Sequence, residues 1–163
     1  MGDSIVKSNI LFINFVFVLL LALNTHPATF FVDSAKPDDS GSGLSWTEAK
    51  KTISAAISVS AAGDTILVKY GTYIISSSLS LTNNRMITSD DGSNSSWNTA
   101  LYDSSQCIIK PDTSVKCRIF TITTNGISNS THIRGLKITQ GEATLETVQT
   151  YYGGGILIMS DSD

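Results

Sequence analysis

Histidine, cysteine and proline are scarce in this chain of 163 residues, which holds 2, 2 and 3 of them. The histidines, His26 and His132, lie far apart in sequence, and no histidine cluster of the kind that binds a metal occurs. The cysteines, Cys107 and Cys117, have no second cysteine pair beside them, so the spacing of a zinc site is missing too. Bases do not outnumber acids. There are 11 lysines and arginines against 14 aspartates and glutamates, a formal net charge of −3, without a long run of like charge. The electrostatic footprint of a nucleic-acid-binding surface is therefore absent.

Long apolar runs are missing as well, with one exception. Lys7 precedes a stretch from Ile10 to Leu23 that is interrupted only by Asn14. It is shorter than the ~20 residues a membrane span requires and has the plan of a secretory signal peptide. Residues 1–28 are assigned to that leader and residues 29–163 to one exported domain, secreted or held at the cell surface. An uncleaved leader would be the sole route to a membrane. Export permits a disulfide between Cys107 and Cys117, which would stabilise by about 2–3 kcal/mol. Two small buried hydrophobes are the other reading of that pair.

After the leader, Phe30-Phe31-Val32-Asp33 reads as a short strand and 38–43 as a polar loop. Ser45-Trp46-Thr47-Glu48 matches a capping box, in which the serine hydroxyl and the glutamate carboxylate satisfy each other's backbone N–H groups. The spacing of Ala49, Ile53, Ala56 and Ile57 then predicts an amphipathic helix reaching Ala62, stopped by Gly63. Beyond it the apolar pattern changes to period two in short pieces: Ile66–Val68, Ile74-Ile75, Leu79–Leu81, Met86-Ile87, Cys107–Ile109, Ile119–Ile122, Leu136–Ile138 and Ile156–Ile158. Turn residues separate them, among them Gly71-Thr72, Asp90-Asp91-Gly92, Asn125-Gly126 and Gly153-Gly154-Gly155.

Two folds suit this pattern, an antiparallel sandwich and a parallel β-helix of stacked coils. A helix ahead of the first strand favours the second, because it can cover the bare end of a stack. The expected class is all-β: a short parallel β-helix with an amino-terminal capping α-helix. The chain ends on Ser160-Asp161-Ser162-Asp163 with no capping element, so a product truncated at its carboxyl end is expected, or a small complete domain that associates end to end.

Three segments carry a family resemblance. They are Phe31-Val32-Asp33 with Ser42-Gly43-Leu44-Ser45-Trp46, then 62–73 from Ala62-Gly63-Asp64 to Gly71-Thr72-Tyr73, then 133–141 followed by Gly153-Gly154-Gly155-Ile156. Together they resemble right-handed parallel β-helix proteins of the pectin-lyase-like superfamily. The last segment also resembles polymorphic outer-membrane repeats more weakly, since their Phe-x-x-Asn motif is absent. The resemblance implies carbohydrate as ligand or substrate.

Polysaccharide hydrolases use paired carboxylates, and lyases use a base, often beside calcium. Asp90-Asp91 is the adjacent acidic pair in the strand-rich part, and Arg134 is a candidate base or clamp with Lys137 near it. The Gly-His-Gly and Arg-x-Lys motifs that accompany an Asp-Asp pair in polygalacturonases are missing, and His132 reads as a surface residue. Asp38-Asp39 and Asp161 with Asp163 offer oxygens that calcium accepts, without EF-hand spacing. No other cofactor is implied. Asn94-Ser95-Ser96 and Asn129-Ser130-Thr131 match the glycosylation acceptor pattern. The expectation is a non-catalytic exported module that binds carbohydrate or an extracellular protein. The alternative is part or remnant of a lyase or hydrolase acting on pectin-like substrates.

Overall fold

A computed structural model describes residues 26–92, 104–123, 130–142 and 154–159. Residues 1–25 of the expected leader, Asn94, Asn129, the Asn125-Gly126 turn and Asp161–Asp163 lie outside the described residues.

The strands are β1 (Thr29–Val32), β2 (Thr65–Lys69), β3 (Gly71–Ile75), β4 (Leu79–Leu81), β5 (Met86–Asp90), β6 (Cys107–Pro111), β7 (Phe120–Thr123), β8 (His132–Arg134), β9 (Lys137–Ile138) and β10 (Ile156–Met159). They form a four-stranded sheet, β1-β2-β5-β8, and two three-stranded sheets, β3-β6-β9 and β10-β7-β4. Every strand pairing among the described residues is parallel, which excludes the antiparallel sandwich.

Register explains why the sequence pattern has period two. Phe30, Ile66, Ile87 and Ile133 stand in one row across the first sheet, with Val32, Val68 and Ser89 in the next inward row. Tyr73, Ile109 and Ile138 align in the second sheet. Leu79, Phe120 and Ile156 align in the third. Ile66, Val68, Leu81, Ile87, Ile109, Ile119 and Phe120 are fully buried. Withdrawing such side chains from water stabilises by about 25 cal/mol per Å² of apolar area, the main favourable term in a chain of such short strands.

The helix differs from its expected span. The single described helix, α1, covers only Ile53–Val59. Half of the capping box does form, since Ser45 Oγ accepts from the Glu48 N–H at 3.2 Å. The Glu48 carboxylate, however, takes the Ser42 hydroxyl at 2.6 Å. The following residues are then claimed by β1: Lys50 N–H donates to Phe31 O at 2.9 Å, and Asp33 N–H donates to Lys50 O at 2.8 Å. An extended Lys50 cannot also be helical, so the helix starts later. Thr52 caps it, accepting the Ala55 N–H at 3.1 Å. Asp39 fixes that cap by accepting both the N–H and the hydroxyl of Thr52, at 2.8 and 2.9 Å. Helix α1 packs on β1, β2 and β4 through Ile53 and Ala56.

The fold expectation is corrected accordingly. In place of a short right-handed parallel β-helix with an amino-terminal capping α-helix, the described residues make three small parallel sheets and one seven-residue helix. About 38% of them are strand and 7% helix, and no closed barrel or solenoid is established among them. The physical reason is local: the segment meant to cover the sheets as a helix is spent in part as an extended partner of β1.

Candidate functional site

The outward face of the first sheet carries one acidic candidate, Asp90. Lys69 and Asp90 are register partners on β2 and β5. Lys69 reaches the other way, to Asp33 just after β1, with Nζ 2.9 Å from Oδ2. Burial alone would raise the Asp33 carboxyl. The hydrogen bonds from Lys69 and from the Ala35 N–H outweigh it, and the pKa lies below the ordinary carboxylate value. Asp90 uses its carboxylate locally, accepting the Gly92 N–H at 2.6 Å. Gly92 holds a φ of 88° and lies against the Lys69 stem, where a Cβ would sit 3.0 Å from Cε. Glycine is what lets the turn close there.

The remaining candidates do not converge. Asp91 lies one residue past the end of β5 and is exposed. Arg134 ends β8 opposite Thr88, so it shares the outward face with Asp90 but two register positions away. His132 pairs in register with Met86 and is half-buried. Among the described residues no group of three His, Cys, Asp or Glu side chains stands ready to hold a metal ion. In the Asp38-Asp39 loop, lysine ammonium groups already occupy backbone carbonyls. Lys36 Nζ donates to Thr47 O, Lys50 Nζ to Asp39 O and Lys51 Nζ to Pro37 O, at 2.8–2.9 Å.

Cys107 and Cys117 are both buried and both free thiols. Cys107 opens β6, and burial pushes its thiol up to about 12. Burial raises the Cys117 thiol too.

A groove of about 460 Å³ runs along β3, between that strand and the start of α1. Ser34, Thr52, Ser54, Thr72 and Ser76 line it together with Ile53, Ile74, Ile75 and Leu79, and Lys51 stands at its wall. Tyr73 fixes its floor from inside. The phenol accepts the Ser34 N–H at 3.3 Å and donates to the Lys69 carbonyl at 2.8 Å. Burial raises the Tyr73 pKa, so this phenol stays protonated and keeps that donor. Sequence reasoning missed the groove. Its lining comes from three separated segments, and Gly71-Thr72 reads as a turn although both residues belong to β3. No family model, curated protein or solved structure matches this chain.

Proposed function

We propose that this chain is an exported, non-catalytic binding module, secreted or surface-exposed, that takes carbohydrate or an extracellular protein. One observation carries the reading: the groove beside β3, lined by serine and threonine residues and by isoleucine and leucine, is concave, open and separate from Asp90, Asp91 and Arg134. A concave site with several convergent polar groups is the usual form of a ligand site. Catalysis would need the acidic and basic candidates within hydrogen-bond reach of one reacting centre. Asp90 is instead engaged with its own turn, and Asp91 falls beyond the strand that orients Asp90. Kinship with the pectin-lyase-like superfamily belongs to the same proposal, supported by the segments quoted above.

The test incubates the whole chain with polygalacturonate, with and without calcium. Absorbance of unsaturated product and the release of reducing ends are followed, and oligogalacturonate binding is measured by calorimetry alongside. No turnover is expected. Turnover that disappears in Asp91→Ala or Arg134→Ala would replace this reading with a lyase or hydrolase.

A further inference from the structure

Hydrogen-bond alternation defines one edge of the groove. In a parallel ladder, alternate residues of a strand direct both their N–H and their C=O to the same neighbour. Gly71 N–H donates to Gln106 O, and Asp112 N–H donates to Ile75 O, both at 2.8 Å. Gly71, Tyr73 and Ile75 therefore face β6. The N–H and C=O groups of Thr72 and Ile74 point the opposite way, along the groove. Among the described residues neither backbone has a partner, and both residues are exposed, Ile74 at 60%. β3 has no proline or lysine of the kind that blunts an open strand edge.

Resting on the reading of this groove as a binding site, we propose that its occupant is an extended peptide. It is held as an added strand along Thr72 and Ile74, with an acidic side chain against Lys51. Two N–H donors and two carbonyl acceptors, repeating every second residue, match the backbone of another strand. The repeat is about 6.6 Å, and five residues of β3 offer about 16 Å of edge. A sugar ring has no amide repeat of that spacing to meet them. Charge favours an acid. Lys51 is the charged residue on the described walls of the groove, and its ammonium group spends one hydrogen bond on the Pro37 carbonyl, leaving others to donate. Exposed Ile74 supplies apolar contact for a neighbouring side chain on the added strand.

The probe is a fluorescein-labelled panel of five-residue peptides alternating threonine and valine, ending in glutamate or in lysine, read by fluorescence polarisation on the whole chain. The glutamate-ended peptides are expected to bind at least tenfold more tightly than the lysine-ended ones, and Lys51→Glu to reverse that order. Methylating the alternate amides in one register should abolish binding, while methylating the other register leaves it. In the protein, Ile74→Pro removes an N–H that no ladder bond uses, so it is compatible with the strand and should block binding. The N-methyl comparison uses the unaltered chain and stands whether or not that variant folds. Equal binding of both N-methyl registers, or no polarisation change at millimolar chain, would overturn strand addition. Oligogalacturonate binding without peptide binding would overturn the peptide alone and leave the binding module standing. If neither ligand binds, both readings fall.

Discussion

Lys69 Nζ lies 2.9 Å from Asp33 Oδ2, joining the end of β2 to the residue that follows β1. The partners are unequally exposed, with side chains at 40% and 12%. The lysine thus keeps part of its hydration while the carboxylate depends on the bond. Removing the lysine charge leaves a nearly buried carboxylate with only the Ala35 N–H. Lys69→Met retains the stem beside Gly92 and is expected to cost about 1–3 kcal/mol at pH 7. The folded-state pKa of Asp33 is depressed, so its contribution is present above the ordinary carboxylate value of about 4 and disappears as pH falls through the lower folded value. Asp33→Asn removes that dependence. Urea unfolding at pH 7 and pH 2.5 checks it: the gap between Asp33→Asn and the parent should close at the acid end. An unchanged gap would mean that the ion pair does not stabilise the fold.

Asp64 links two chain segments by accepting the Ala28 N–H at 2.7 Å and the Ala61 N–H at 2.6 Å, and it is only 6% exposed. The first bond fixes the approach to β1 and the second fixes the turn after α1. Its charge also supports Arg85, a 6% exposed guanidinium that donates to the Ser60 carbonyl and whose pKa is lowered by burial, against the pull of Asp64. Asp64→Ala removes the acceptor of two part-buried hydrogen bonds and takes the neighbouring charge from a buried cation, a loss of about 1–3 kcal/mol. Asp64→Asn keeps one acceptor oxygen and should fall between. Thermal unfolding of both variants orders them. An alanine variant as stable as the parent would show that water replaces the carboxylate at no cost.

Some of this was legible in the sequence, for reasons that individual residues make plain. Ile66 and Val68 announce β2 because burial on one face imposes alternation, and β5 answers in register with Ile87. Cys107 and Ile109 do the same for β6. The expected helix is too long because the Ser45–Glu48 capping box and Ala49 fit a helical start, whereas the β1 edge offers Lys50 two backbone hydrogen bonds that a local pattern does not reveal. Asp90-Asp91 looked like a pair because the two are adjacent. Adjacent residues at a strand end do not share a face, and here one carboxylate closes a turn. The groove escaped notice because strand register and a threonine cap bring Ser34, Thr52 and Thr72 together, and none of the three is unusual in its own segment.

Cys107 and Cys117 are free, and burial keeps both thiols protonated at neutral pH. A thiolate is the reactive species, so alkylation of the folded chain should be slow. Without reductant, iodoacetamide at pH 8 is expected to add two groups in denaturant and fewer than one in buffer over the same interval. Mass spectrometry counts them, and no addition in denaturant would reveal a disulfide. The same burial sets an alkaline limit. The folded pKa of Cys107, about 12, exceeds the unfolded value of about 8.5. Its contribution is complete below the unfolded value and is lost as pH rises towards the folded one, because the unfolded chain ionises first. Cys107→Ala removes this ionisation. It should lower stability at pH 7 by leaving a small cavity and flatten the fall in stability between pH 9 and 11. A parent and variant that lose stability in parallel over that range would place the alkaline limit on another group.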